Sequence, residues 1–219
     1  MEKRDIDFLR DLTQAPSPSG FETAAARVMR ARLEGIADRI ETDVLGSVHA
    51  VLKGKGKGPS VLIAGHIDEV GLMAKYISDD GFISFYAIGG VDEGILPGLR
   101  VDVHTESGPL RGIIGRMPIH LLESDQKKKA TPLDKLYIDC GLSGKKAKEI
   151  IKIGDPITFS SGFEEFGDGF AVSRAFDDKL GVWIASRVLE EVKLQGGAMG
   201  DLIAAGTAQE EIGLRGGTA

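Results

Sequence analysis

The hydrophobic pattern at the start of the chain predicts two helices. Apolar residues recur at helical intervals over residues 5–14, which predicts a short amphipathic helix. The stretch SGFE resembles a capping box, in which Ser19 starts a helix and Glu22 reaches back towards that start. We expect this second helix to continue to about residue 33.

Strand patterning follows and dominates the middle of the chain. Residues 38–52 have β character, and the continuous apolar run SVLIAG at 60–65 predicts a buried strand. From 71 to 165, short apolar runs alternate with turn signals such as DDG and ESG, which are typical of hairpins, and one basic helical stretch, GKKAKEIIK, interrupts them. This region predicts a small β-barrel or a sandwich.

Helical patterning returns near the end of the chain. Residues 178–194 predict an amphipathic helix, and DLIAAGTA at 201–208 predicts another buried strand. The apolar stripe of that helix contains Leu180, Ile184 and Val188. The simplest explanation is one α/β domain, formed by 1–70 and 166–219, that a β-rich insertion over 71–165 interrupts.

Composition narrows the classes of partner and compartment. The chain has 219 residues and a net charge of −6, which argues against nucleic acid or an anionic membrane as the main partner. Its single cysteine, Cys140, excludes an intrachain disulfide and favours a reducing compartment. The sequence starts without an apolar leader and contains no membrane-length apolar run, so we predict a cytoplasmic protein.

Chemistry-bearing residues follow the first predicted buried strand, in AGHIDEVG. His66 and Asp68 lie just past the carboxyl end of that strand, where ligands bind in open α/β sheets. A lone histidine at such a place is more often structural. The H-x-D pair is more informative, because a carboxylate that holds one ring nitrogen fixes the tautomer of a metal-binding imidazole.

Two carboxylate pairs occupy comparable places later in the chain. Asp177 and Asp178 precede the predicted helix of 178–194, where helix capping is the ordinary interpretation. Glu210 and Glu211 end the last predicted strand, and burying two adjacent carboxylates is unfavourable without a cation.

These three segments are predicted to meet at one side of a sheet. One imidazole and several carboxylates form a donor set suited to zinc, manganese or cobalt. Two such ions, roughly 3.5–4 Å apart, would require a bridging carboxylate and a free glutamate that acts as base.

Five stretches, in the same order along the chain, resemble the M42 family of metallo-aminopeptidases, also called the glutamyl or deblocking aminopeptidase family. They are PSPSGFE, AGHIDEVG, GRMPIHL, RAFDDKLG and TAQEEIGLRGG. The resemblance covers the whole chain. It implies an incomplete mixed-sheet α/β metallopeptidase catalytic domain, interrupted by a β-barrel-like dimerisation insertion.

The resemblance also implies roles for individual residues. His66 is similar to the histidine ligand of one metal ion, and Asp68 to the aspartate that orients it. Asp177 is similar to the carboxylate that bridges two zinc or cobalt ions, Glu211 to a ligand of the second ion, and Glu210 to the general base. In the family, a cis peptide commonly follows the bridging aspartate.

The chain departs from the family pattern in two respects. Lys179 stands where the family usually has arginine, and it keeps the charge but not the planar fork. The family sequence continues beyond the equivalent of residue 219 and provides an aspartate and a histidine as further ligands. Without them, each metal site retains two of three protein ligands, so we expect one weakly held metal ion or none.

Two hypotheses follow for the function. The first is an aminopeptidase homologue that removes N-terminal residues from short peptides through water activated by two metal ions. The second is a catalytically inactive, truncated scaffold or oligomerisation subunit. In both cases the β insertion is expected to form a homo-oligomer, with a dimer favoured over the family's dodecamer.

Overall fold

The computed structural model describes residues 2–121, 123 and 128–218. The four helices of this part of the chain are α1 (Lys3–Gln14), α2 (Thr23–Leu33), α3 (Gly144–Ile150) and α4 (Phe176–Leu194). The strands are β1 (Arg39–Thr42), β2 (Val48–Leu52), β3 (Val61–His66), β4 (Gly71–Ile77), β5 (Ile83–Ile88), β6 (Arg100–Thr105), β7 (Gly108–Gly115), β8 (Tyr137–Asp139), β9 (Pro156–Phe159), β10 (Glu164–Phe166), β11 (Phe170–Val172) and β12 (Leu202–Thr207).

Two structural units divide the chain, and one of them is discontinuous in sequence. Met1–Glu69 and Gly162–Ala219 form the first, which we call the sheet unit, and Val70–Ser161 forms the second, which we call the barrel unit. This arrangement confirms the predicted α/β fold with a barrel-like β insertion.

The sheet unit is built on four strands in the order β1-β2-β12-β3. β12 runs antiparallel to β2 and parallel to β3. A strand from the end of the sequence therefore lies between two strands from its first third. Helix α4 packs against β3 and β12, while α2 packs against β2. The core between these elements is apolar and includes Leu12, Met29, Leu33, Val182 and Leu189.

The second helix is present, but the predicted capping box is wrong. Helix α2 begins at Thr23, and no side chain caps its first turn. The Ser19 hydroxyl donates instead to Asp68, and a Glu22 carboxylate oxygen accepts from the backbone N–H groups of Gly20 and Gln209. Ser19 therefore binds a distant segment, and Glu22 links the nearby Gly20 to the distant Gln209.

Strand β3 is also present, but the prediction that it is buried is wrong for residues 61–64, and only its last two residues, Gly65 and His66, are buried. It lies at the edge of the sheet, and within the described residues β12 is its only strand neighbour. Val61 and Leu62 are consequently 49% and 55% exposed. A continuous apolar run is typical of a strand covered on both faces, but it does not specify how many neighbours the strand has.

The predicted apolar stripe of α4 is partly wrong. The helix buries Val182, Ala185 and Leu189, whereas Leu180 and Ile184 remain partly exposed. The stripe that meets the sheet is therefore rotated around the helix from the predicted one.

Six strands of the barrel unit form a closed barrel in the order β4-β5-β8-β7-β6-β9. All neighbouring pairs are antiparallel, and β9 closes the ring by pairing with both β6 and β4. Alternating residues fill the interior, among them Leu72, Ile83, Val101, Ile138 and Ile157, all fully buried. Closure leaves this barrel without a free strand edge.

No helix among the described residues has the length and apolar character needed to cross a lipid bilayer.

Candidate functional site

The site lies in the sheet unit, where β3 and β12 end side by side. The two strands are parallel, and His66 at the end of β3 pairs in register with Thr207 at the end of β12. Their following segments carry Asp68 and Glu210–Glu211, so the loops that hold these carboxylates emerge at the same edge of the sheet.

Helix α4 brings the third segment to this edge. A Cβ atom on Gly65 would come within 2.4 Å of the backbone nitrogen of Val182, so a glycine is required for α4 to lie this close to β3. Asp178 Oδ1 accepts the Gly181 N–H at 2.9 Å and caps the regular part of the helix. The Asp177–Asp178 peptide bond is cis.

The imidazole of His66 is the meeting point of the three segments. Its Nε2 atom lies 3.2 Å from Asp177 Oδ1 and 3.7 Å from Glu210 Oε2. Its Nδ1 atom faces Asp68, at 3.2 Å from the backbone oxygen and 3.4 Å from Oδ1. One ring nitrogen is thus held by Asp68, while the other points towards carboxylates.

Asp68 is fully buried and is held from several sides. Oδ1 accepts the N–H of Glu210 at 3.0 Å, and Oδ2 accepts the N–H of Glu211 at 3.1 Å and the Ser19 hydroxyl at 2.6 Å. Burial alone raises the pKa of this carboxyl, but these hydrogen bonds and His66 outweigh it and lower the pKa. Asp68 therefore stays ionised and fixes both the imidazole and the Glu210–Glu211 backbone.

The donor atoms form a compact group. One ligand atom from each of His66, Glu210 and Glu211 lies within 4.8 Å of the others. Burial raises the pKa of Glu211, and the negative charges of Glu210, Asp177 and Asp68 add to this shift while His66 opposes it. A divalent cation bound beside the imidazole would stabilise these carboxylates in their ionised form.

The charge of the carboxylates also acts on His66. Burial lowers the pKa of its imidazole, but the hydrogen bond and charge of Asp68, together with Glu210, outweigh burial and raise the pKa from 6.5 to about 9. Without a cation, the imidazole is therefore protonated at neutral pH.

This shift predicts a pH-dependent stability of the metal-free chain. Because the pKa is higher in the folded state, protonated His66 stabilises the fold fully below about pH 6.5, and this contribution is lost as the pH rises through about 9. With a chelator present, we expect the wild type to lose on the order of 3 kcal/mol relative to His66→Gln across that range. Urea unfolding followed by Trp183 fluorescence measures the difference, and parallel pH profiles for the two proteins would contradict the assignment.

A buried ionic cluster beneath the site was not anticipated from the sequence. Glu69 is 3% exposed and accepts hydrogen bonds from Arg174, from Lys179 at 3.3 Å and from the Ser17 N–H at 3.0 Å. The fully buried Lys179 also donates to the Ala15 carbonyl at 2.7 Å. The two partners of Lys179 lie more than a hundred residues away from it in the sequence, so no local spacing could reveal the cluster.

Comparison with known proteins identifies the family to which this chain, with its α/β fold and histidine–carboxylate site, belongs. The family model described as M42 glutamyl aminopeptidase matches residues 46–219. The chain belongs to this family, as the sequence motifs predicted.

Individual relatives extend over nearly the whole chain. The lysyl aminopeptidase of Pyrococcus furiosus is 29% identical over 97% of this chain and 61% of its own length. The structure of a TET aminopeptidase from a marine sediment archaeon, Thaumarchaeota archaeon SCGC AB-539-E09, superposes with a TM-score of 0.93 at 36% identity, covering 98% of this chain and 61% of that one.

A further solved relative is the TET1 peptidase of Pyrococcus horikoshii, whose structure shows that it can assemble into a tetrahedron or a large octahedral shell. It is 32% identical with a TM-score of 0.85, over 97% of this chain and 63% of that one. The present chain thus spans about three fifths of the length of these relatives.

Proposed function

We propose that this chain carries metal-binding and proton-transfer residues of an aminopeptidase that removes N-terminal residues from short peptides. The observation that supports it most directly is the convergence of His66, Glu210 and Glu211, with donor atoms within 4.8 Å of one another, at the carboxyl ends of β3 and β12. Membership of the M42 family makes this chemistry the first to test.

The donor set fits divalent cations of the zinc or cobalt type. Imidazole and carboxylate oxygens are suitable ligands for both, and a partly exposed site leaves room for water. We assign His66 and Asp177 to one ion, and Asp177 and Glu211 to a second. Asp177 would serve both ions, as the family resemblance implies, and its Oδ1 lies 3.2 Å from His66 Nε2.

The remaining roles belong to residues that hold or move protons. When bound, the cations would lower the pKa of a water molecule and polarise the scissile carbonyl. Glu210 is proposed to take the proton of that water and to return it to the leaving amine. Asp68 holds the Nδ1 side of His66, which leaves Nε2 free to bind a cation.

Hydrolysis of amino-acid p-nitroanilides tests the proposal. Because two protein ligands per ion should bind weakly, Zn²⁺ or Co²⁺ is supplied in excess. The chain is then expected to hydrolyse leucine, lysine or glutamate p-nitroanilide, to lose this activity with a chelator, and to regain it when the metal is restored. Metal content is measured on the same samples. A folded, metal-loaded chain without turnover on any of the three substrates would contradict the aminopeptidase proposal and favour the inactive scaffold.

We further propose that the barrel unit forms a homo-oligomer, with a dimer as the smallest assembly. The outer surface of the barrel exposes large apolar side chains, including Tyr76 at 54%, Tyr86 at 51% and Ile113 at 50%. Exposed aromatic residues of this kind are enriched at protein–protein interfaces.

Light scattering is expected to show a dimer or larger species at micromolar concentration, and the double variant Tyr76→Glu/Tyr86→Glu should shift the population towards the monomer. A wild-type monomer at that concentration would contradict the proposal. An oligomer that the double variant leaves unchanged would place the interface elsewhere.

A further inference from the structure

The segment Ser17–Glu22, which we call the bracket segment, contributes no donor atom to the site, yet it bonds to two of the segments that form it. We propose that the bracket segment positions the site and that Ser19 is a positioning residue acting through Asp68. This inference rests on the proposed function, because it concerns the same histidine–carboxylate group.

Ser19 completes the hydrogen bonding of the Asp68 carboxylate. Its side chain is almost fully buried, and its hydroxyl donates to Asp68 Oδ2 at 2.6 Å, which is the shortest of the Asp68 contacts. The other oxygen, Oδ1, faces His66 Nδ1 and accepts from Glu210. The hydroxyl therefore resists rotation of the carboxylate away from the orientation that serves the imidazole and both glutamate amides.

Both ends of the bracket segment are tied to the site. At one end, the Ser17 N–H donates to Glu69 Oε1 at 3.0 Å, and the Glu69 N–H donates to the Ser17 carbonyl oxygen, also at 3.0 Å. At the other end, Glu22 Oε1 accepts from the N–H of Gly20 at 2.7 Å and of Gln209 at 3.1 Å. Ser19 thus belongs to a segment that hydrogen bonds hold at both ends.

The position of the two glutamates depends on this support. Gln209, which the bracket segment holds, has a positive φ of 57° and directly precedes Glu210. The next two backbone N–H groups then point at the Asp68 carboxylate. Ser19 and both glutamate N–H groups bond to the same Asp68 carboxylate, so Asp68 is the direct link between them.

Ser19→Ala tests this role with two measurements. In the metal-free chain, the amide protons of Glu210 and Glu211 should shift upfield in the NMR spectrum and exchange with solvent about tenfold faster or more, whereas Ala204 and Ala205 within β12 should keep their protection. Calorimetric titration with Zn²⁺ should show lowered affinity, by less than the roughly 10–100-fold that follows loss of a direct partner of a metal ligand, because Asp68 lies between Ser19 and His66.

Ser160→Ala is the matched control. The Ser160 hydroxyl donates to Asp102 Oδ2 at 2.9 Å, and both residues belong to the barrel unit, so the change removes a serine–aspartate hydrogen bond within that unit. Neither the Glu210 and Glu211 amides nor the Zn²⁺ affinity should change in this variant.

The outcomes separate the inference from the proposed function. If the wild type binds no Zn²⁺, the metal-binding proposal fails while the amide measurements still decide the role of Ser19. If Ser19→Ala leaves the Glu210 and Glu211 amides as in the wild type, the positioning role is overturned. A general loss of stability that affects β12 as much as these two amides would also overturn it, since Ser19 would then be only a structural residue.

Discussion

Glu210→Gln is expected to lower kcat for p-nitroanilide hydrolysis by about 10²–10⁴-fold while the bound metal remains, because an amide cannot accept the proton of the attacking water. The position of Glu210 suits this role. Its side chain is 33% exposed, which gives water access, and its Oε2 atom lies 3.7 Å from His66 Nε2. Its backbone is fixed independently by the hydrogen bond to Asp68, so the change should leave the local fold intact.

Glu211→Gln is the informative companion variant, since the two residues are adjacent and undergo the same chemical change. Replacing Glu211 should weaken Zn²⁺ binding, whereas replacing Glu210 should weaken turnover. Both carboxylates belong to the donor group around His66. If both variants lose metal equally, Glu210 is a ligand and the base must be sought elsewhere.

Glu69→Ala is expected to lower the free energy of unfolding of the sheet unit by about 3–5 kcal/mol, because it removes the carboxylate that balances the charge of the buried Lys179 and of Arg174. Arg174 and Lys179 both donate to this carboxylate. Burial lowers the pKa of Lys179 to about 8, with Arg174 adding to the shift, and Glu69 opposes it. Losing Glu69 therefore removes the main group that keeps the buried ammonium charged.

Glu41→Ala is the control for this second prediction. Glu41 pairs with Arg39 at 3.0 Å on the surface of the same unit, where such ion pairs contribute less than about 1 kcal/mol. The chain has one tryptophan, Trp183, in α4, so urea unfolding followed by fluorescence reports on the sheet unit in both variants. Equal losses in the two variants would show that the cluster beneath the site has no special contribution.

Much of the architecture could be predicted from the sequence, because local patterns determine local elements. Alternating runs separated by Gly-containing turns specified the hairpins of the barrel, and the apolar run of 202–207 specified β12. The convergence at the sheet edge was also predictable, since it follows from two strands that are parallel and end together.

The errors share a physical cause, which is that local spacing carries no information about distant partners. The SGFE stretch satisfies the pattern of a capping box, yet Ser19 bonds to Asp68, 49 residues further along the chain. The run SVLIAG has the composition of a covered strand, yet β3 lies at the sheet edge. The sequence showed only that Lys179 replaces the usual arginine, and the fold shows that it is fully buried and paired with Glu69.

The discontinuous sheet has a consequence for the order of events on the ribosome. Every strand of the barrel lies between residues 71 and 159, whereas β12, which separates β2 from β3, ends at residue 207. At roughly 5–20 residues per second, the barrel strands precede the completed β12 by about 2–10 s. During that interval the nascent sheet lacks β12, one of its two inner strands, and β2 and β3 present unpaired edges that can pair with other chains.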